Sequence, residues 1–163
     1  FQGGKGKTTH RGTHVPCIAN WPAAMKQSRV NTDLISSTDF LPTICEAAEI
    51  VTPTGIDGVS FLPQLRGETG TPREWLYSWY SPRQRADMTV RECAFDQRFK
   101  IYRSGEFFDL TKDPDEKDAL QITSLEVAAA AALSKLQSAL GEFEDARPHE
   151  LDHQFEQSAQ DGR

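Results

Sequence analysis

The sequence has 163 residues, of which 26% are charged and 37% hydrophobic, and it carries a net charge of −6. This composition excludes collagen-like and wholly disordered classes, and no apolar run approaches the roughly 20 residues of a membrane-spanning helix. The acidic balance argues against nucleic acid as a partner. The first 30 residues contain no Asp or Glu, but they contain five cations, which predicts a site for a small anion: Lys5, Lys7, Arg11, Lys26 and Arg29.

The cysteines and the first residues bear on where the chain belongs. Cys17, Cys45 and Cys93 are widely spaced and form no C-x-x-C pair, so we predict three small apolar core residues rather than disulfides or a zinc cluster. The sequence opens on Phe1 and Gln2, without an initiator methionine, signal peptide or transit sequence. We therefore expect a fragment whose beginning and any targeting signal lie upstream.

The first half of the chain predicts a loop, a strand and a helix. Residues 1–14 are rich in Gly, Lys and Thr and predict a loop, and the apolar residues 15–21 predict a short strand. A helix is expected to begin at Ser37 or Thr38, with one apolar face made of Phe40, Leu41, Ile44, Ala47 and Ala48.

The second half predicts a small sheet followed by a helix. Residues 58–67 suggest one helical turn with Phe61, Leu62 and Leu65 buried, and the polar residues 68–73 suggest a subdomain boundary. Period-two patterns then predict four antiparallel strands at 75–80, 89–95, 99–103 and 106–110. Thr123 and Glu126 form a sequence capping box before an apolar helical stripe that reaches Phe143. The expected organisation is α/β, with segments 1–72 and 73–143 and a polar, disordered tail at 144–163.

Two short motifs suggest chemistry that their context disfavours. His149, Glu150 and His153 spell H-E-x-x-H, which on a helix binds zinc, but the surrounding tail is acidic and lacks an apolar stripe. Gly6-Lys7-Thr8 matches the end of a nucleotide-binding P-loop, but Phe1 stands where that loop begins with glycine. We interpret the first motif as a solvated tail and the second as part of a different loop.

The same loop, taken from residue 4 to residue 16, reads Gly-Lys-Gly-Lys-Thr-Thr-His-Arg-Gly-Thr-His-Val-Pro. It resembles the G-K-G-x-T-x-E-G-G-x-R-V-P loop of the sulfatase family, with Lys5 in the position of the lysine that contacts the sulfate ester. The following residues match that family's V-P-x-I-x-x-W-P.

The resemblance continues in order to about residue 143. Asp39-Phe-Leu-Pro-Thr43 is similar to the family's D-x-x-P-T, and residues 57–67 match D-G-x-S-x-x-P-x-L-x-G. Residues 100–102, 108–110 and 113–116 resemble the K-x-Y, Y-D-L and D-P-x-E segments of the C-terminal sheet. The resemblance implies the end of an alkaline-phosphatase-like catalytic domain, followed by a four-stranded antiparallel sheet packed by a C-terminal helix.

The resemblance implies a sulfuric ester hydrolase with a formylglycine nucleophile and a bound calcium ion. The sequence contains no C/S-x-P-x-R motif for the former and no Asp/Asn cluster for the latter, so both are expected upstream and no metal ligand is assigned here. Alone, the fragment is expected to be inactive. The catalytic candidate is Lys5, which would bind a sulfate oxygen and stabilise the leaving group; the alternative is a solvated loop lysine. Lys7 is expected to line the cleft or face water.

His10 and His14 depart from the family pattern, and either is a candidate substrate contact or proton donor. The alternative is a hydrogen bond that stabilises the loop. The aromatic residues Trp75, Tyr77, Trp79 and Tyr80 could stack on a sugar or pack in the core. Expected partners are a sulfated small molecule or carbohydrate, without a membrane span, and the family is most often exported or compartmentalised. Rival functions are a phosphodiesterase or phosphonate hydrolase of the same superfamily, and a non-catalytic binding protein.

Overall fold

The computed structural model describes residues 4–80 and 91–146 together with residues 150 and 157. These residues form two compact units: one contains the chain up to Val15 and from Tyr77 onward, and the other is Pro16–Leu76. The division at residues 72 and 73 into the end of a catalytic domain and a subdomain stays a prediction. Most of the predicted tail at 144–163 lies outside the described residues.

The first unit contains the predicted four-stranded sheet. Its strands follow chain order, and β2 pairs antiparallel with β3, which pairs antiparallel with β4. Ala94 lies opposite Ile101, and Lys100 lies opposite Phe108. A tight turn at Gly105 (φ +101°) joins β3 to β4, as the Ser104-Gly105 sequence predicts. The strands are β1 Leu76–Tyr80, β2 Arg91–Phe95, β3 Phe99–Tyr102 and β4 Phe107–Asp109, which confirms a mixed α/β fold with an antiparallel sheet.

Helix α4, Val127–Glu142, covers one face of this sheet. Arg103 donates from its guanidinium to the carbonyl oxygen of Leu140, which places the helix on the face that Ile101 shares. The predicted capping box is wrong, because Glu126 is the N-cap residue, makes no side-chain capping bond and follows an extended Leu125. The helix buries a stripe of Ala129, Ala132, Leu133, Leu136, Ala139 and Leu140.

The second unit is organised around the buried carboxylate of Asp39. Ser36 caps a 3₁₀ turn, Ser37–Asp39, that leads into α2, Phe40–Ala47. Asp39 accepts hydrogen bonds from the backbone N–H groups of Ser36 and Val59 and from the Arg73 guanidinium. The D-x-x-P-T and D-G-x-S segments are therefore hydrogen-bonded to each other.

Close packing supports this junction. A Cβ atom at Gly58 would lie 2.2 Å from the carbonyl oxygen of Thr38, so only glycine fits there. The predicted turn at 58–67 is α3, Leu62–Arg66, with Phe61 and Leu62 buried and Leu65 half-buried.

Three local predictions are wrong. Residues 15–21 form no strand, because Pro16 removes a ladder donor and no neighbouring strand pairs with them among the described residues. Residues 10–13 form a helical turn, α1 (His10–Thr13), inside the predicted loop. Cys17 is exposed, whereas Cys45 and Cys93 are buried as predicted.

The predicted apolar face of α2 is not buried in this structure. The helix instead buries Pro42, Thr43 and Cys45, because the Thr43 hydroxyl donates to the carbonyl oxygen of Asp39 and accepts from the backbone N–H of Phe61. Ile44 is 62% exposed. Within the described ranges, no helix combines the length and the apolar character that membrane crossing requires.

Candidate active site

The predicted sulfate-binding lysine lies at the tip of a tight turn, residues 4–7, which we call the Lys5 turn. The backbone N–H of Lys7 donates to the carbonyl oxygen of Gly4 over 2.9 Å, and Gly6 has φ +80°. Those features define a type II turn in which glycine is favoured at the third position. Lys5 occupies the second position and its side chain is exposed. The sequence thus presents an ammonium group on a short, hydrogen-bonded turn.

Glycines bring the Lys5 turn against helix α1. A Cβ atom at Gly12 would lie 1.9 Å from the carbonyl oxygen of Lys7 and 2.7 Å from that of Gly4. A Cβ atom at Gly4 would lie 3.0 Å from the backbone of Arg11. The turn and the helix therefore touch backbone to backbone, and a displacement of α1 has to move Lys5.

Four buried polar residues, which we call the loop anchor, join this segment to the sheet: Thr8, Lys100, Tyr102 and Glu116. Lys100 donates from Nζ to Glu116 Oε1 over 3.0 Å and to the carbonyl oxygen of Thr8. Tyr102 donates its hydroxyl proton to Glu116 Oε2, so the Thr8 hydroxyl donates to Tyr102 over 3.2 Å. The side chains of Lys100 and Glu116 are 1% and 2% exposed.

Glu116 also binds the backbone of α1. The N–H of His10, the first residue of the helix, donates to Glu116 Oε1 over 2.8 Å. Free N–H groups at a helix start favour a carboxylate partner. Glu116 itself has φ +55°, a left-handed conformation that is uncommon for a residue other than glycine. The turn that produces it is closed by Asp113, whose carboxylate accepts from the N–H groups of Lys117 and Asp118.

Burial and the neighbouring carboxylate both change the acidity of the anchor tyrosine. Burial raises the pKa of Tyr102 well above its ordinary value, and the hydrogen bond to Glu116 raises it further. The phenol therefore stays protonated and remains a donor at all physiological pH values. Arg11 and Asp115 add a half-exposed ion pair at 2.5 Å, which contributes little to stability.

The two candidate histidines contact each other. His14 Nδ1 lies 3.0 Å from His10 Nε2, one helical turn away, and the ring centroids are 4.7 Å apart. Burial lowers the pKa of His10, and the charges of His14 and Lys100 lower it further against the opposing effect of Glu116. His10 is half-buried and His14 exposed. The lowered pKa favours the uncharged form of the His10 ring.

Aromatic residues of β1 are divided between the core and the loop. Tyr77 stacks on Phe143 with ring centroids 4.4 Å apart and donates to Glu92, so it packs as a core residue. Tyr80 is 37% exposed, and its hydroxyl lies 3.6 Å from where a Cβ atom of Gly6 would be. Tyr80 is therefore an aromatic residue beside the Lys5 turn. The residues that follow it, 81–90, lie outside the described chain.

The anchor residues were quoted in the sequence motifs without a role. Lys100 and Glu116 belong to the K-x-Y and D-P-x-E segments, and the signal available for Lys100 was a charge between Phe99 and Ile101 in a short apolar strand. Lys5, His10 and His14 lie in residues 4–15, the segment whose backbone the loop anchor binds. Lys7 is exposed, as expected.

The structure bears on one of the two other motifs, the P-loop-like Gly6-Lys7-Thr8, but not on H-E-x-x-H. His149 and His153 of the H-E-x-x-H motif lie outside the described residues. In the Gly6-Lys7-Thr8 motif, the Thr8 hydroxyl is buried against Tyr102 rather than available to a metal-bound phosphate. Among residues 4–80 and 91–146, His, Cys, Asp and Glu form no group of three that could hold a metal ion, so these residues do not fit a calcium site of their own.

Comparison with known proteins identifies the class. The family profile described as "N-sulphoglucosamine sulphohydrolase, C-terminal" matches residues 8–144. An ulvan-active sulfatase from Formosa agariphila is 39% identical over 95 residues, covering 57% of this chain and 19% of that protein. The mouse steryl-sulfatase is 37% identical over 82 residues, which cover 48% of this chain and 13% of the steryl-sulfatase.

A solved structure gives the same answer for the fold. A 2-O GAG sulfatase superposes with a TM-score of 0.51 at 27% identity, over 64% of this chain and 23% of that protein. The sheet and its helix therefore belong to a sulfatase-type C-terminal region, which confirms the resemblance. The chain belongs to the N-sulphoglucosamine sulphohydrolase C-terminal family. It spans about a fifth of the length of the ulvan-active sulfatase.

Proposed function

We propose that the natural protein containing this sequence hydrolyses sulfate esters, and that this chain supplies Lys5 to the reaction. The observation that carries the proposal is the exposed Lys5 on a glycine turn in a chain whose relatives are named sulfatases. An ammonium group suits the task, because it is a compact point charge that can approach a sulfate oxygen. The fragment alone is expected to be inactive.

The chemistry explains why a fixed cation is needed. Negative charge develops on the sulfuryl oxygens and on the leaving oxygen as the ester bond breaks, and a charge already in place stabilises it without reorganisation. Lys5 would bind one sulfate oxygen and stabilise the leaving oxygen. A formylglycine and a calcium ion, both provided by residues outside this chain, would supply the nucleophile and further charge neutralisation.

The histidines and one tyrosine support a wider substrate surface. His10 and His14 lie within nine residues of Lys5, at the two ends of the helical turn that packs against the Lys5 turn, and they would contact the group that bears the sulfate. Tyr80 lies beside the turn and offers a half-exposed ring to a sugar or an aryl group. The substrate would be a sulfated carbohydrate or a sulfated small molecule.

The experiment compares two neighbouring lysines in the natural protein. Lys5→Ala is expected to reduce kcat/KM for an aryl sulfate by about 10²-fold or more, as loss of one charge-stabilising donor does. Lys7→Ala is the matched control, since it removes another exposed ammonium two residues away. Equal rates for Lys5→Ala and wild type would contradict the role of Lys5.

The exposed apolar residues of the second unit bear on the domain organisation. Phe40, Leu41 and Ile44 are exposed by 43–62%, and Ile18 is 93% exposed. Side chains of this kind usually mark a contact surface when they lie together. Residues 1–72 would accordingly be the last segment of a larger α/β catalytic domain, whose other segments cover this helix face.

A further inference from the structure

We propose that Lys100, Glu116 and Tyr102 are positioning residues, which act on sulfate-ester hydrolysis by fixing the location of Lys5. This inference rests on the proposed function, because the three side chains are buried and reach substrate only through the loop they bind. It assigns a function to three residues that would otherwise count only as buried polar residues of the first unit.

Stability alone does not explain a buried ion pair. Lys100 and Glu116 are almost fully removed from water, and the desolvation cost of two charges can equal or exceed their mutual attraction. Apolar side chains of similar volume would fill the same space at no loss of stability. The reason for burying these two charges therefore has to be sought in the groups that they bind.

Their partners are backbone groups of residues 4–15, which we call the lysine loop. Lys100 binds the carbonyl oxygen of Thr8, and Glu116 binds the N–H of His10, so the pair holds both sides of Thr9. Tyr102 completes the set by linking Glu116 to the Thr8 hydroxyl. These bonds recognise main-chain position, which apolar side chains cannot do.

The held segment is coupled to Lys5 by direct packing. Gly12 of α1 has no room for a Cβ atom beside the carbonyl oxygens of Lys7 and Gly4. The N–H of Lys7 in turn closes the turn on Gly4. A shift of the helix start would therefore move the turn tip, and a displacement of about 1 Å at a reacting group can cost a large factor in rate.

A double-mutant cycle in the natural protein tests the proposal. Glu116→Gln and Lys100→Met are each expected to lower kcat for an aryl sulfate about 10- to 100-fold. In a Lys5→Ala background the same substitutions are expected to change kcat by less than about twofold, because the group they position is gone. An equal loss in both backgrounds would overturn the proposal.

The control separates positioning from general destabilisation. Arg98→Gln breaks the ion pair with buried Asp109 on the same sheet, at 2.8 Å, without touching the lysine loop. It is expected to lower Tm with kcat unchanged. If Arg98→Gln lowers kcat as much as Glu116→Gln does at similar loss of Tm, the anchor has no special role and the proposal fails.

A measurement that does not depend on turnover separates the anchoring proposal from the proposed role of Lys5. Amide hydrogen exchange in residues 4–15 is expected to accelerate at least about tenfold in Glu116→Gln but not in Arg98→Gln. Unchanged exchange would overturn the anchoring. Should Lys5→Ala leave turnover unchanged, the role of Lys5 is contradicted, and exchange alone then decides whether the buried pair holds the loop.

Discussion

At the scale of single residues, three of the buried carboxylates in the described chain show how the polar interior is stabilised. Each accepts hydrogen bonds from more than one donor, and each faces one cationic side chain at close range. A carboxylate that is fully hydrogen-bonded keeps its charge in the interior, whereas an unpartnered one would protonate. The pairs are Asp39 with Arg73, Asp109 with Arg98, and Glu116 with Lys100.

Burial has a different weight in the pKa of Asp39 than in the pKa of Asp109. Burial by itself would raise the pKa of Asp39, but the hydrogen bonds from Arg73 and from the N–H groups of Val59 and Ser36 outweigh it and lower the pKa. At Asp109 the hydrogen bond from Arg98 dominates, and it lowers the pKa to about 2. Both carboxylates therefore stabilise the fold through their charged form.

Asp109 predicts a pH dependence of stability. Its folded pKa of about 2 lies below the ordinary value of 3.8, so its contribution is fully present above about pH 4 and is lost as pH falls through 2. The contribution is on the order of 2 kcal/mol. Thermal unfolding at successive pH values should show Asp109→Asn less stable than wild type at pH 7, with the gap closing below pH 4.

The exposed Asp118→Asn variant serves as the control for that titration. It should follow the wild-type curve at every pH. A gap between Asp109→Asn and wild type that stays constant down to pH 2 would show that the Asp109 charge does not stabilise the fold.

At the scale of elements, sequence periodicity correctly predicted those strands and helices that pack against another element of this chain. The strands β2 to β4 and the Ala/Leu stripe of α4 form as predicted, because the helix packs on the sheet, although β3 and β4 are buried at every position rather than on one face alone. Residues 15–21 and the apolar face of α2 failed for the opposite reason. Val15, Ile18, Leu41 and Ile44 of these segments are exposed, so hydrophobicity alone did not determine their structure.

The candidate site shows the same division. Lys5 and the histidines were found because the loop carries a recognisable motif. The anchor was not assigned, because its members lie 92 and 106 residues from the groups they bind, and no local pattern encodes such pairs. The short α1 was missed since its first N–H is satisfied by distant Glu116 rather than by a nearby capping side chain.

Backbone contact between α1 and the Lys5 turn predicts the effect of one methyl group. Gly12→Ala places a Cβ atom within 1.9 Å of the Lys7 carbonyl oxygen, so the turn has to move. Turnover of an aryl sulfate by the natural protein should fall about tenfold or more. Kinetics at saturating substrate, with Tm measured alongside, checks it.

Gly141→Ala is the matched control at the last turn of α4. Nothing lies within 4 Å of a Cβ atom there, and alanine favours the helix, so this variant should gain about 0.5–1 kcal/mol and keep full activity. Full activity in Gly12→Ala would contradict the coupling between α1 and Lys5.

At the scale of the whole molecule, the exposed apolar surface of α2 is explained if further chain covers it. The chain spans 13–24% of the length of the relatives to which it was matched by sequence. An exposed helix face of Phe40, Leu41 and Ile44 is costly in water and would be stabilising inside a larger domain.

Ile44→Glu tests that assignment by comparing two chains. In the natural protein the charge would be buried without a partner, so Tm and soluble yield should fall strongly. In the 163-residue chain the same position is exposed and Tm should change little. Glu46→Gln, an exposed change on the same helix, should be neutral in both. Equal tolerance of Ile44→Glu in both chains would contradict burial of this face.

The central claim is that this chain belongs to an enzyme that cleaves sulfate esters. The most direct measurement gives the natural protein an aryl sulfate, an aryl phosphodiester and an aryl phosphonate ester at equal concentration and compares kcat/KM. Sulfate release should exceed the other two rates by about 10²-fold or more, and Lys5→Ala should abolish that advantage. Preferential cleavage of the phosphodiester or the phosphonate, or no turnover of any ester, would contradict it.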